Sequence, residues 1–484
     1  MGHITVEGVR VSTDHFINGE RVRSERTFED RSPIDETTLG FVAAGGPAEM
    51  EAAVTAARNA FPEWAALGPQ GRGVYLRRFA DSIEAHVEDL AAVETTDNGS
   101  LLEASRLRVM KRSASNIRFF AEYAERLHSE AWDMPGGNTR NQVLHQPAGV
   151  TAVVTPWNAP MMLCTWRVGP ALAAGNTVVV KPPEWAPLTC SLMADYAEQA
   201  GLPAGVLNIV QGLGNEAGAA LVAHPGVRRI AFTGSPATGK IIGKAAAENL
   251  TPVSFELGGK SPFIIFADAD MEKVISTALG QYDNAGQVCL AGTRLLVQRS
   301  VADQFIERMI AGARKIVLGD PRKAETEVGP LITRVHLERV KGYVQRALQD
   351  GAKVVYGGNV SEHLGGLYFE PTLLMDAPAG SEILKREVFG PVLTFQTFES
   401  EDEAIALAND TDYGLAATIF TGDEQRAQRV STAVSAGTVW VNCFFVRDLG
   451  APFGGNKQSG IGREGGKWSF DFYCDVKTVC SRLG

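Results

Sequence analysis

The sequence predicts a large α/β protein with parallel sheets covered by helices. From residue 149, short β-branched runs alternate with helical segments, in GVTAVVTPW, NTVVVKP, GVLNIVQG and VRRIAFTG. A second series begins near Pro262, in PFIIF, TRLLVQ, AKVVYGG, LTFQTF, AATIFTG and GTVWVN. Such alternation is typical of β-α-β units. Because 484 residues exceed one ordinary core, we expect two or three folding units.

The remaining segments complete this organisation. Between Pro47 and Glu130, apolar residues recur at helical spacing and predict several amphipathic helices. The segment TPVSFELGGKSP separates the two strand series, so we expect the interdomain hinge and the ligand cleft there, because ligands of open α/β sheets lie at strand ends. From Phe470 to Val479, alternating residues predict a C-terminal strand.

Composition excludes several classes of protein. Lys and Arg number 46 against 56 Asp and Glu, a net charge of -10, so we predict no nucleic-acid partner. Six cysteines without a C-x-x-C pair are too sparse for a disulfide scaffold, and we predict no metal site. The N-terminal residues lack the layout of a signal peptide, and no apolar run reaches the length of a membrane span. We therefore expect a cytoplasmic protein.

Cys289 lies among small residues in NAGQVCLAGTR, where a thiol can be approached closely. A cysteine is a strong nucleophile when backbone N–H groups stabilise its thiolate in a partly open site. The alternative is an inert core cysteine, since free cysteines are among the most buried residues. The local sequence leaves both interpretations open.

Two further segments place a carboxylate and an amide where each could take part in catalysis. Glu256 precedes two glycines in FELGGK, at a predicted strand end, where a carboxylate can act as a general base through water; it could equally be a surface residue. Asn158 lies between Trp157 and Pro160 in TPWNAP, where a rigidly held amide can donate to a developing oxyanion.

These three segments, together with NTVVVKPPE, FTGSPATG and REVFGP, resemble the aldehyde dehydrogenase superfamily in order, spacing and residue type. The resemblance runs from FINGE near the N-terminus to PFGGNKQSGIGREGG. It implies NAD-dependent oxidation of an aldehyde through a thiohemiacetal and a thioester on Cys289. Glu256 would activate the deacylating water, giving the free acid, and Asn158 with the Cys289 N–H would form the oxyanion hole.

The resemblance also implies how NAD is bound. The turn that follows VRRIAFTG ends a strand and opens a helix, whose free N–H groups attract a pyrophosphate, with Ser235 donating. The run from Gly212 to Gly218 imitates a G-x-G-x-x-G but is one residue too long. Glu387 and Phe389 are implied to contact the nicotinamide ribose and ring, although either could be loop scaffold. The implied cofactor-binding residues are Lys181, Glu184, Gly234, Ser235, Glu387, Phe389 and Trp157.

Domain boundaries follow from the same resemblance. Residues 1–134 and 150–257 would form a Rossmann-like NAD-binding domain, and residues 258–440 an α/β catalytic domain. Residues 135–149 and 465–484 would form a small β oligomerisation element. We therefore expect a homodimer or a homotetramer.

The resemblance implies that the substrate tunnel is lined by Arg108, Arg112, Met162, Trp166 and Arg447. Relatives that oxidise neutral aldehydes commonly have apolar residues where this chain has the three arginines. Arg108 and Arg112 are four residues apart, so one helical face would present both. The run VRDL with PFGG and GREGG resembles the branch acting on hydroxymuconate and carboxymethyl-hydroxymuconate semialdehydes from aromatic ring cleavage. This predicts an anionic, conjugated semialdehyde. An aromatic- or amino-aldehyde dehydrogenase, or a catalytically silent structural or binding member, are the alternatives.

Overall fold

A computed structural model describes residues 2–482. Within that range the strands, in chain order, are β1 (His3–Val6), β2 (Val9–Ser12), β3 (His15–Ile17), β4 (Glu20–Val22), β5 (Thr27–Arg31), β6 (Thr38–Ala43), β7 (Ala131–Asp133), β8 (Thr139–Pro147), β9 (Val150–Val154), β10 (Thr177–Lys181), β11 (Leu207–Ile209), β12 (Val227–Thr233), β13 (Val253–Glu256), β14 (Pro262–Ile265), β15 (Arg294–Gln298), β16 (Lys353–Tyr356), β17 (Thr372–Met375), β18 (Val392–Phe398), β19 (Tyr413–Gly414), β20 (Ala416–Phe420), β21 (Thr438–Val441), β22 (Asn456–Lys457), β23 (Gly460–Ile461) and β24 (Cys474–Arg482).

The α-helices of the same range are α1 (Pro47–Ala66), α2 (Gly68–Ala85), α3 (Val87–Asn98), α4 (Leu102–Ala104), α5 (Met110–Glu125), α6 (Pro160–Ala174), α7 (Leu188–Gln199), α8 (Ala219–Val222), α9 (Pro236–Glu248), α10 (Met271–Leu279), α11 (Ala302–Ala313), α12 (Arg334–Gln349), α13 (Glu382–Lys385), α14 (Glu401–Asn409), α15 (Glu424–Ala433) and α16 (Gly466–Tyr473). The predicted N-terminal helices are thus confirmed. Ser105–Val109 and Gly214–Gly218 are π-helical, and Gly280–Gly286, Arg299–Val301 and Glu362–Leu364 are 3-10 turns. No helix among residues 2–482 is long and apolar enough to cross a membrane.

The first strand series forms an eight-stranded sheet in the order β23-β13-β12-β9-β10-β11-β3-β4. Strands β9 to β13 pair in parallel, as the alternation predicts, whereas β3 and β23 add antiparallel edges. Every residue of β9 and β10 is buried, because apolar clusters pack on both sheet faces. The near-continuous Val runs of these strands reflect that burial.

The second strand series forms a seven-stranded sheet in the order β16-β17-β18-β15-β14-β20-β21. Its pairs are parallel except for the edge pair β16 and β17. The sequence analysis missed β17, because its four residues, TLLM, are too short and too uniformly apolar to show an alternating pattern.

The chain crosses between the two sheets where the sequence analysis expected it to. Strand β13 ends at Glu256 in the first sheet and β14 begins at Pro262 in the second, so residues 257–261 make the crossing. The C-terminal segment then returns to the first sheet, where β23 pairs with β13 and places Gly460 opposite Glu256. This return, which the predicted domain boundaries did not include, covers the end of β13.

A separate three-stranded sheet, in the order β24-β8-β7, extends from the protein. The prediction of a strand from Phe470 is wrong for its first four residues, which belong to α16. Phe470 and Tyr473, three residues apart, are both buried on one helical face, and that burial outweighs the apparent alternation. The strand begins at Cys474. Residues 483–484 of the predicted oligomerisation element, and residue 1 of the predicted NAD-binding domain, lie outside the described residues.

Candidate active site

Cys289 lies in a loop that one buried amide side chain holds in place. The Gln287 side chain donates from Nε2 to the Asn284 carbonyl at 3.0 Å and to the Pro330 carbonyl at 3.3 Å, and its Oε1 accepts from the Ile332 N–H at 2.9 Å. With its amide satisfied in this way, Gln287 fixes the backbone two residues before the thiol. Cys289 itself is half-buried.

Asn158 is tied to the same loop by two hydrogen bonds. Its Nδ2 donates to the Gln287 carbonyl at 2.9 Å, and its own carbonyl accepts from Asn284 Nδ2 at 3.2 Å. A side-chain amide nitrogen carries two N–H donors, and this contact uses one of them. Asn158 is therefore held beside the cysteine loop with one further donor.

Glycines allow the crossing segment to contact this loop. A Cβ built on Gly259 would lie 2.6 Å from the Cys289 carbonyl oxygen, and one built on Gly258 would collide with the Glu387 carboxylate. Similarly, a Cβ on Gly454, whose φ is +154°, would lie 3.0 Å from Glu256 Oε1. Only glycine lets these two backbone segments come so close to the two carboxylates and the cysteine loop.

Glu256 ends β13 as a buried carboxyl group. Neither of its oxygens has a hydrogen-bond partner among residues 2–482. Burial raises the pKa of Glu256 to about 7, against the opposing charges of Arg167, Arg447 and Arg463. The group can thus exchange a proton near neutral pH, as a general base must.

The thiol of Cys289 is weakly acidic in this structure. Burial raises its pKa to about 12, with further increases from the carboxylates of Glu387 and Glu256, while Arg447 lowers it. Glu387 accepts a hydrogen bond from the Gly259 N–H at 3.0 Å, and burial raises its pKa to about 7. Glu387 thus lies close enough to the thiol to influence its charge.

A buried ion pair, missed by the sequence analysis, lies behind Glu256. Arg167 on α6 pairs with Glu464, and both side chains are inaccessible to solvent. Arg167 also donates to Ser254 Oγ at 3.1 Å and to the Phe232 carbonyl at 3.2 Å. The sequence feature that could have indicated this ion pair is an arginine within the largely apolar run of α6.

Arg447 lies on the loop after β21, against two aromatic rings. Its Cζ is 4.7 Å from the ring centroid of Trp166 and 3.7 Å from that of Phe453. Its Nη2 is buried and has no hydrogen-bond partner within residues 2–482. The loop is anchored by Trp440, whose Nε1 donates to the Val446 carbonyl at 2.9 Å.

Arg112 and Met162 meet through a shared asparagine. Arg112 Nε donates to Asn116 Oδ1 at 3.0 Å, and Asn116 Nδ2 donates to the Met162 carbonyl at 3.1 Å. Arg447 and Arg112 are close enough for the charge of Arg112 to lower the pKa of Arg447. The structure therefore brings Arg112, Met162, Trp166 and Arg447 together near Cys289.

Arg108 has different surroundings from Arg112, contrary to the shared face predicted from their spacing. It lies in the π-helical turn Ser105–Val109, pairs with Asp283 at 3.3 Å, and its side chain is 63% exposed. The wider turn alters the helical phase between the two arginines. Arg108 is thus at the surface, paired with an acid.

The residues implied to hold the adenosine and phosphates fit a dinucleotide. Ser235 is the N-cap of α9, directly after Gly234 and the end of β12, so the first N–H groups of this helix face the sheet edge. Lys181 Nζ lies 2.7 Å from Glu184 Oε2, and Gly214 lies beside that pair. Burial raises the pKa of Glu184, but the charge and the hydrogen bond of Lys181 lower it, and the net result is a lowered pKa.

Three aromatic side chains surround Trp157. The ring centroid of Trp157 is 5.3 Å from that of Phe389, 5.5 Å from that of His336 and 6.0 Å from that of Trp185. Phe389 has a φ of +58°, and its carbonyl lies 2.7 Å from His336 Nε2. The sequence analysis did not identify His336, which holds this strained turn.

Comparisons with known proteins agree with the geometry. The profile of the aldehyde dehydrogenase family matches residues 21–479. The 2-hydroxymuconic semialdehyde dehydrogenase of Pseudomonas sp. (strain CF600) is 44% identical over 481 residues, 97% of this chain and 99% of its own. The 2-aminomuconic semialdehyde dehydrogenase of Danio rerio is 41% identical over 473 residues, 96% of this chain and 97% of its own. Betaine aldehyde dehydrogenase of Staphylococcus aureus in complex with NAD+ is 40% identical with a TM-score of 0.95, covering 98% of this chain and 96% of its own.

The carboxylate of Glu387 raises the pKa of the Cys289 thiol, and the effect can be measured through the reactivity of that thiol. In a Glu387→Gln variant, we expect alkylation of Cys289 by iodoacetamide at pH 8 to accelerate about two- to tenfold, because the thiolate fraction increases as the pKa falls. Peptide mass spectrometry would follow Cys289, with the exposed Cys480 as internal reference. The surface variant Glu399→Gln is the matched control. An unchanged rate in Glu387→Gln would contradict the expectation.

Proposed function

The chain belongs to the aldehyde dehydrogenase family and is an NAD-dependent aldehyde dehydrogenase, and we propose that it oxidises an anionic, conjugated semialdehyde to the free acid. Suitable substrates are 2-hydroxymuconate semialdehyde and 5-carboxymethyl-2-hydroxymuconate semialdehyde. The observation that carries this proposal is the buried Nη2 of Arg447, which lies close to the thiol and has no hydrogen-bond partner among residues 2–482.

A buried guanidinium without a carboxylate partner is costly. Among the described residues, Arg447 Nη2 has no hydrogen-bond partner, and Arg112 nearby donates to the neutral amide of Asn116. Burial lowers the pKa of Arg447 to about 10, so it is still protonated at neutral pH. A substrate carboxylate would supply the missing charge and accept charge-assisted hydrogen bonds from both side chains.

Aromatic aldehydes are the second candidate, because Trp166 and Phe453 offer aromatic contacts at the same place. Amino aldehydes fit less well, since Arg447 and Arg112 would repel a second cation. A catalytically silent role is disfavoured because Cys289, Glu256 and Asn158 are all present and lie around one cleft.

The proposed reaction assigns each residue a step. The Cys289 thiol first loses its proton to solvent, and the thiolate then adds to the aldehyde carbon. The resulting oxyanion accepts hydrogen bonds from Asn158 Nδ2 and the Cys289 N–H. NAD, when bound, supplies the acceptor for the hydride that leaves this carbon as the thioester forms. Glu256, as the carboxylate, takes a proton from a water that attacks the thioester and releases the acid.

We further propose the residues that position the cofactor. Lys181 and Glu184 hold the adenosine ribose, while Ser235 and the N–H groups that follow Gly234 bind the pyrophosphate. Glu387 holds the nicotinamide ribose, with Phe389 and Trp157 packed beside the ring. Residues 1–134 and 150–257 would then act as the NAD-binding domain and residues 258–440 as the catalytic domain.

Oligomerisation is proposed through the three-stranded sheet of β7, β8 and β24. Strand β24 is an edge strand, and eight of its nine residues are exposed, including Val476 and Val479. An exposed edge of this length is suited to pairing with another chain. A homodimer or homotetramer would cover it.

The substrate proposal predicts a charge-specific loss of activity. In Arg447→Leu and Arg112→Leu, we expect kcat/KM for 2-hydroxymuconate semialdehyde to fall about 10- to 100-fold, because a charge-assisted hydrogen bond is lost. For benzaldehyde, kcat/KM should change by less than about threefold in the same variants. NADH formation at 340 nm gives both values, and the surface variant Arg126→Leu is the control. Equal losses for the two aldehydes would refute the proposal.

The pKa of Glu256 predicts how deacylation depends on pH. Because its pKa is about 7 and the carboxylate is the active form, thioester hydrolysis should slow as pH falls through 7, approaching about tenfold per unit below pH 6. In Glu256→Gln, a stopped-flow burst of one NADH per site should precede a slow steady state. A Glu256→Gln enzyme with normal steady-state turnover would exclude this role; Glu399→Gln is again the control.

Truncation tests the assembly. The full chain should run as a dimer or tetramer in size-exclusion chromatography with light scattering, and a chain ending at Tyr473 should shift to a smaller species, since it lacks the exposed edge strand. Circular dichroism would check that the shortened chain is folded. A monomeric full chain would refute the assembly.

A further inference from the structure

We propose that Arg447 selects against cationic aldehydes by filling, with its own guanidinium, an aromatic site made by Trp166 and Phe453 that would otherwise accept an ammonium group. The inference rests on the proposed function in one respect: the aldehyde must reach Cys289 past these side chains. It adds a second role for Arg447, exclusion of the wrong charge, to the recognition of the right one.

The two rings form the kind of surface that binds cations. A cation within about 6 Å of an aromatic centroid is attracted by the ring, and quaternary ammonium groups are recognised in this way. The Cζ of Arg447 meets this criterion for both rings, at 4.7 Å from Trp166 and 3.7 Å from Phe453. Both aromatic residues are buried, at 4% and 8% exposure, so the contact is shielded from water. The site is therefore built, and it is already occupied by a cation of the chain itself.

The two rings come from distant parts of the chain. Trp166 belongs to α6, whereas Phe453 lies in the segment between β21 and β22. Phe453 also packs in the apolar cluster that includes Leu290 and is contacted by Cys289. The aromatic site thus lies beside the loop that carries the nucleophile, where the substituent of a short aldehyde would lie.

The other arginines near Arg447 have acids close by that offset their charge. Arg167 is neutralised by its ion pair with Glu464. Arg112 feels the opposing charge of Asp448, which raises its pKa against the larger effect of burial. Glu256 contributes an acid close enough to raise the pKa of Arg447 against the larger effect of burial. Arg447 is therefore the guanidinium whose charge and volume both oppose a cationic substrate.

Removal of the guanidinium should leave an aromatic site free for a small cation. In Arg447→Ala, Trp166 and Phe453 keep their ring faces, and the acid Glu256 adds a favourable charge nearby. A desolvated cation–π contact strengthens binding by about tenfold or more, and the loss of a like charge acts in the same direction.

A pair of isosteric aldehydes tests the inference directly. Betaine aldehyde and 3,3-dimethylbutanal have the same shape and differ only in a charged nitrogen in place of a carbon. The measured quantity is the ratio of kcat/KM for the cationic aldehyde to kcat/KM for the neutral one. We expect this ratio to rise about tenfold or more in Arg447→Ala, and to stay within about threefold of wild type in Arg447→Lys, which keeps the charge. The surface variant Arg126→Ala is the matched control.

The aromatic part is tested by a second set of variants. Phe453→Leu in the Arg447→Ala background should reverse most of the gain, because the nearer ring face is lost. Activity towards 3,3-dimethylbutanal shows whether each variant is folded. If Arg447→Ala is not folded, the ratio is measured with Arg447→Gln instead. An unchanged ratio in the charge-removing variants, or a gain that survives the loss of Phe453 undiminished, would overturn the inference.

The outcome is independent of the proposed substrate. The ratio uses no anionic aldehyde, so it can rise even if 2-hydroxymuconate semialdehyde is not the substrate. Conversely, loss of activity on that semialdehyde in Arg447→Ala with an unchanged ratio would support carboxylate recognition and reject the exclusion of cations.

Discussion

The carboxyl group of Glu256 is held at the end of β13 with both oxygens buried, and much of the surrounding structure serves to make that burial possible. An ionisable group in such a position needs opposing charge close by. Arg167, Arg447 and Arg463 supply it from three different segments. Arg167 is in turn paired with Glu464, so one of these three arginines is itself balanced by a second carboxylate. The result is a carboxyl group that titrates near neutrality without unfolding the sheet edge.

The same constraint explains the glycines of the cleft. Two sheets meet where residues 257–261 cross between them, and the cysteine loop, the Glu387 turn and the C-terminal return all reach this point. Side chains at Gly258, Gly259 or Gly454 would separate these segments. Their absence lets the nucleophile, the base and Glu387 lie close together, so that the two carboxylates add to the effect of burial, which is the main reason that the thiol is weakly acidic here.

Arg447 connects this charge balance to substrate choice. Its ring contacts with Trp166 and Phe453 account for the position of the guanidinium, while its buried Nη2 has no hydrogen-bond partner in the described part of the chain. One side chain can therefore attract a carboxylate through its free donor and exclude an ammonium group from the aromatic surface it covers. Both effects depend on burial, because water would weaken each of them.

The sequence by itself determined most strands of both sheets, although not β17, together with the crossing near residues 251–262 and the family, because hydrophobic periodicity and motif order are local properties of the chain. Cys289, Glu256 and Asn158 could be named from their motifs for the same reason. Only the tertiary structure decided that β23 covers Glu256, that Arg167 pairs with Glu464, and that Phe470 to Tyr473 are helical. It also decided that Arg108 lies at the surface while Arg112 and Arg447 come together. These features depend on burial and ion pairing between segments that are far apart in the chain. A local sequence pattern contains no information about such contacts.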